Sequence, residues 1–295
     1  MRLSARDFGQ TFSRTPIELP IRRDLRWDFD DVEAKFVADS LLISLVWATF
    51  SVGAPATERF FVLATRPLID RVADEKLRRD MDGMLMQEAM HAAAHIQFNR
   101  ALAAKGLSIA RAEAYVDDLL ARTAKASPPM EMVGMLAAGE HVMTTMARIY
   151  LSDPSIGAAM SPSARRLLDY HMLEEAEHGA VGRDVFRYFC EDDYWLRTTT
   201  GLKFLLLNFH CFLATISILG NDGSAKMSVR DWVRFWEYGL VRPGLFRRIA
   251  VGVAEYFSPF HDAPIDPAAV SGPAAQEAMR APPSVWGSVA SGLAS

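Results

Sequence analysis

Apolar and polar positions along this chain recur with the three-and-four spacing of helix faces through most of its length. The period-two alternation of half-buried strands is nearly absent. Asp222-Gly223 is a hairpin-type dipeptide, but the long apolar run before it does not alternate. The expected fold class is therefore all-α. Prolines and glycines divide the chain into predicted helices over roughly 31–50, 56–72, 74–105, 109–126, 129–152, 162–190, 194–219, 228–240 and 243–257. Pro55 suits the first turn of a helix, where its missing N–H would be unpaired anyway. Gly106 stands where a left-handed C-terminal cap is expected. Ser127-Pro128-Pro129 and Ser161-Pro162 each end one helix and start the next. The expected division is an N-terminal extension over 1–30, a helical domain over 31–260, and a poorly structured tail over 261–295, where Pro, Ala, Ser and Gly accumulate.

One segment bears on solubility. GLKFLLLNFHCFLATISILG, residues 201–220, approaches the length of a membrane span. Lys203, Asn208 and His210 would be costly in hydrocarbon, so a buried core helix is expected instead.

Composition narrows the function classes. Half of the 295 residues are hydrophobic and the formal net charge is −4. That allows a large core and gives no reason to expect nucleic acid as a partner. Cys190 and Cys211 form neither a ligand spacing nor a disulfide framework, and the first twenty residues lack an apolar core of secretory type. A cytoplasmic setting is expected, with a lid, a homodimer interface or a membrane-peripheral surface left open for residues 194–257.

The chemistry lies in a repeated local motif. Glu88 and His91 stand three apart in QEAMHAAAHIQFNR, and Glu175 and His178 stand three apart in HMLEEAEHGAVGRDVF. At about 100° per residue, Glu88, His91 and His95 fall within roughly 60° of one another, as do His171, Glu175 and His178. Glu177 points away from Glu175 by roughly 160° and reads as a solvated or supporting residue. Glu58 and Glu140 are lone carboxylates in apolar helical company. Gathered in one core, such groups would be intolerable as bare anions, and a pair of divalent cations would neutralise several at once. Two Glu-x-x-His helices plus one Glu from each of two others is the ligand set of ferritin-like di-iron and di-manganese bundles.

The order Glu58, Glu88/His91, Glu140, Glu175/His178 resembles the ferritin-like dinuclear carboxylate superfamily. TERFF (57–61), QEAMHAAAHIQFN (87–99), GEH (139–141), HMLEEAEHGAVGRDVF (171–186), RPGLFRRI and YFSPFHDAP resemble more closely a bacterial family named "predicted metal-dependent hydrolase". The likeness covers roughly residues 20 to 265 and implies a ferritin-like four-helix bundle with additional C-terminal helices. A further similarity is to di-iron arylamine N-oxygenases, whose extra histidine four residues before the last Glu-x-x-His corresponds to His171. The implied metal ligands are Glu58, Glu88, His91, Glu140, His171, Glu175 and His178.

Imidazole and carboxylate donors suit iron, manganese or zinc. Two iron ions activating O2 to oxidise a small, partly apolar organic substrate, for instance an amine, is the expected function, with an electron donor left open as a partner. The alternatives are a metal-dependent hydrolase using a metal-bound hydroxide and a non-enzymatic metal-binding bundle. His95 is expected as a ligand, a supporting donor or a substrate contact. Glu174 is expected to pair with Arg165, Arg166 or a ligand imidazole. His141 is expected off the metal face, and His210 as a core histidine. Arg148 and Arg183 are the only arginines near the ligand helices that could clamp an anionic substrate.

Overall fold

LLISLVWATFSVGAPATERFFVLAT carries no polar face, and a helix that is apolar all round belongs inside a protein. It forms α1 (Leu41–Thr65), buried along most of its length. In the computed structural model, residues 13, 19, 25–221, 228–259 and 261 are described, with the backbone alone of His178. A short 3-10 turn (Arg66–Arg71) leads to α2 (Glu75–Ala104), whose N-terminus is capped by the Asp74 carboxylate accepting from the Leu77 N–H at 2.8 Å. Gly106, at φ +92°, stops α2 as expected. There follow α3 (Ile109–Ala126), α4 (Pro129–Ser152), the short α5 (Pro154–Ala158), α6 (Pro162–His178) and α7 (Val181–Cys190). The outer layer is α8 (Tyr194–Gly220), α9 (Val229–Trp236) with a π-helical turn at Glu237–Val241, and α10 (Leu245–Tyr256). Among the described residues the only strand-like pairing is the antiparallel bridge Val37–Met160, so the fold is an all-α helical bundle.

Four helices close a ring: α1 packs on α2 and α4, and α6 packs on the same two from the other side. Inside the ring the core is stratified. One apolar cluster takes the first half of α1, the end of α2 and the start of α6 (Leu45, Trp47, Phe98, Leu102, Leu167, Tyr170). A second takes the end of α1, the start of α2 and α4, and α7 (Phe61, Met81, Met84, Leu136, Val185, Phe186). Polar residues of all four helices lie between the two.

Four expectations need correction. Residues 31–40 form turns, and Ser40 precedes the first helix. Pro55 does not open a helix but sits inside α1, because burial on every side outweighs the one hydrogen bond it removes. The predicted helix 162–190 breaks at Gly179-Ala180 into α6 and α7. Most consequentially, α8 is no core helix. Leu41–Arg71 and Tyr194–Gly220 are both long and apolar enough to cross a membrane, but the apolar stretch of the first is 83% buried and that of the second 22%. Arg197, Thr200, Gly201, Phe204, Cys211, Thr215 and Leu219 of α8 face inward, while Leu202, Leu206, Phe209 and Leu213 are exposed. All but two of the large apolar side chains exposed among the described residues, Leu63 and Met86, lie between Trp195 and Val251. The expected extension over 1–30 lies largely outside the described residues, although the Ser13 hydroxyl donates to the Asp80 carboxylate. The expected tail over 261–295 lies outside them apart from His261.

Candidate metal centre

Helical spacing delivers the middle stratum. Glu58 comes from α1 one turn after Pro55, Glu88 and His91 from α2, Glu140 from α4, and His171 and Glu175 from α6. All six are between 0% and 5% exposed, as are Glu174, Glu177 and His95. Six glutamates thus share one water-poor layer, where an uncompensated carboxylate costs several kcal/mol.

Glu58, His91, His171 and Glu175 each place a donor atom within 4.8 Å of the others. His91 Nδ1 stands 3.9 Å from Glu58 Oε2, 3.8 Å from Glu88 Oε2 and 3.7 Å from Glu175 Oε1. His171 Nε2 is 3.1 Å from the same Glu175 oxygen. Imidazole and carboxylate donors bind a transition-metal ion at about 2.0–2.2 Å, so donors sharing an ion stand about 3–4 Å apart. The separations here match. The other nitrogen of His91, Nε2, is 3.0 Å from Glu174 Oε2, so this imidazole turns one nitrogen to the cluster and sets the other beside a carboxylate, the usual neighbour of a metal-bound histidine. Glu58 Oε2 is buried and accepts no hydrogen bond among the described residues. Burial by itself would lower the His91 pKa. The hydrogen bonds and charges of Glu174 and Glu88 outweigh it and push the imidazole up to about 10. Without a metal, the stratum therefore recruits a proton as its positive charge, and the residues present fit a bound cation.

Of the expected ligands, Glu58, His91, His171 and Glu175 come together and Glu88 lies against His91. Glu140 is buried in the same stratum with its side chain packed on Gly182, where an added Cβ would stand 2.4 Å from Glu140 Cγ. The side chain of His178 lies outside the described residues, although its backbone ends α6 on the same stratum. Glu174 stands beside a ligand imidazole, one of the partners expected for it. Glu177 is buried rather than solvated and accepts from Gln87 Nε2 at 2.9 Å. His95 is turned from the carboxylates toward His171 and Ser51. Beside Ser51 and His95 a cavity of about 10 Å³, walled by Trp47, Phe50, Phe98 and Leu168, has room for one water-sized molecule.

His141 is off the metal face as expected, its Nε2 2.8 Å from the Gly252 carbonyl. His210 is an exposed partner of the Tyr115 hydroxyl, not a core histidine. Arg148 pairs with Glu255, and Arg183 with Asp192 and the His261 carbonyl. Ser51, Gln87 and Asn99 escaped the sequence reading, because small polar residues on apolar helices carry no distinctive spacing.

The family described as "Predicted metal-dependent hydrolase" matches residues 21–265, and the chain belongs to it. No curated protein and no solved structure matches the chain.

Proposed function

We propose that this protein is a dinuclear metal enzyme of ferritin-like architecture, with iron as the metal and O2-dependent oxidation of a small, partly apolar substrate as the reaction. The observation that carries a metal-dependent activity is the convergence of Glu58, His91, His171 and Glu175 in a buried stratum. Glu88, Glu140 and His178 complete the proposed ligand set on the ring of four helices. When bound, a pair of iron ions would supply one-electron chemistry toward O2 that no side chain here can provide. The chain's own residues do the rest. The carboxylates of Glu58, Glu88 and Glu175 supply the negative charge that retains cations. The Glu174 carboxylate beside His91 Nε2 steadies that ring. The apolar clusters on either side exclude bulk water.

Two features favour oxidation of a neutral substrate. The cluster is rich in carboxylates, which repel a phosphate or carboxylate substrate. The two arginines near enough by sequence to clamp such an anion are committed to Glu255 and Asp192. The second reading, hydrolysis by a water acidified at the same cations, is favoured by the family's description.

Metal analysis and oxygen dependence separate the two. Protein from iron-supplemented cells should carry about two iron ions per chain, and its near-ultraviolet absorbance after anaerobic reduction should change on admitting O2. Zinc- or manganese-dependent esterase or phosphatase turnover that is indifferent to O2 would establish the hydrolase instead.

A further inference from the structure

A hydrogen-bonded file leads from the candidate centre to the surface of α3. His171 Nδ1 is 2.9 Å from His95 Nε2, and His95 Nδ1 is 2.8 Å from Ser51 Oγ. Ser51 Oγ donates to Asn99 Oδ1 at 2.6 Å. Asn99 Nδ2 donates to the Ser51 carbonyl at 3.1 Å and to Glu113 Oε1 at 2.9 Å. Every member but Glu113 is buried.

The direction of each bond in this file is forced. Pro55 has no N–H, so the carbonyl of Ser51, four residues earlier in α1, lacks its helical donor. Asn99 supplies one. Reversing the Asn99 amide would set its oxygen against two acceptors, the Ser51 carbonyl and the Glu113 carboxylate, so its oxygen must face Ser51 Oγ. The Ser51 hydroxyl spends its only hydrogen on that oxygen and must accept from His95 Nδ1–H. Neutral His95 then presents a bare Nε2, and His171 must answer with Nδ1–H. A neutral His171 is left with its Nε2 lone pair directed at the cluster, beside Glu175 Oε1. The Phe50 ring meets both imidazoles in T-shaped contacts, at centroid distances of 5.6 and 5.3 Å, and helps to hold their planes.

We infer that His95 is a positioning residue, and that Pro55, Asn99 and Ser51 act through it to lock His171 in the tautomer whose Nε2 binds metal. The inference rests on the metal reading above for its purpose, but the order of donors stands on the hydrogen bonds alone. The broken helical bond at Pro55 thus becomes part of the site: it fixes the orientation of an asparagine three links along the file from the ligand.

Long-range 1H–15N spectra of the full chain labelled at histidine nitrogen read the tautomers directly, with and without zinc. The expected result is His95 protonated at Nδ1 in both states and zinc-loaded His171 protonated at Nδ1. Ser51→Ala should release the other His95 tautomer, and His95→Phe should weaken zinc binding by about 10–100-fold, the usual effect of removing such a partner. A His95 protonated at Nε2 overturns the inference. So does a Ser51→Ala protein whose His95 and His171 resonances and zinc affinity equal those of the parent, and in both cases the metal reading survives. Should the parent take up no metal at all, the metal reading fails, while the tautomer of His95 in the metal-free protein still decides the order of the file.

Discussion

Replacing His91 by alanine in the metal-free protein tests the charge balance of the buried stratum. The side chain is fully buried, with Nδ1 within 3.9 Å of Glu58, Glu88 and Glu175 and Nε2 3.0 Å from Glu174. Its removal leaves these carboxylates facing a void without the imidazolium between them. Deleting one partner of a buried ion pair costs about 3–5 kcal/mol. The rise of the imidazole from 6.5 to about 10 implies the same order, about 5 kcal/mol at about 1.4 kcal/mol per unit. Against a total stability of about 5–15 kcal/mol, that is a large share. The sign with pH is definite. A folded-state pKa above the unfolded one contributes stability that is fully present below pH 6.5 and is lost as pH rises through 10. Denaturant titrations of chelator-treated wild type and His91→Ala should therefore show their widest gap near pH 6.5 and a narrowing gap toward pH 10. Stabilities within about 0.5 kcal/mol of each other at pH 6.5, the scatter of ordinary surface changes, would refute the reasoning. So would a gap unchanged up to pH 10.

The other predictions concern separate parts of the molecule. Gly182→Ala drives a Cβ against Glu140 Cγ at 2.4 Å, and should cost about 1–3 kcal/mol in thermal or chemical unfolding and lower the metal content. Burial and the charge of His91 lower the His95 pKa to about 3. The unfolded chain therefore takes this proton first, and stability should fall as pH drops from 6.5 toward 3 by up to about 1.4 kcal/mol per unit; His95→Phe should show a shallower slope in denaturation series over that range. Arg197 is buried and donates to the carbonyls of Tyr256 and Ser258, so Arg197→Met should cost about 1–3 kcal/mol and expose the chain after α10 to limited proteolysis. Leu206→Glu on the exposed face of α8 should change monomer stability by no more than about 0.5 kcal/mol; a larger loss, with altered sedimentation, would mean that a second copy covers this face.

Helix identity was legible in the chain because it is a local property. Three-and-four spacing, Gly106 at a left-handed cap and Pro129 and Pro162 at first turns each act within a few residues. The candidate ligands were legible for a related reason: charged and imidazole groups amid Met, Ala and Leu have to be explained by something buried. The faces of α2 and α6 follow from 3.6 residues per turn, which is why His91, His171 and Glu175 meet as the spacing implied. What the chain alone could not show depends on contacts between distant segments. Mean hydropathy marks α8 as apolar but is blind to which face its neighbours leave bare. Pro55 reads locally as a helix start, yet α1 runs through it because a neighbouring helix supplies Asn99 to the carbonyl it frees. The carboxylate that steadies His91 could not be told from one paired with arginine until α2 and α6 were placed side by side. Helix by helix, the sequence determined what each segment is and which way it is greasy; only the packing of four helices decided that their polar residues share one dry layer, because the field at any one of them comes from the other three.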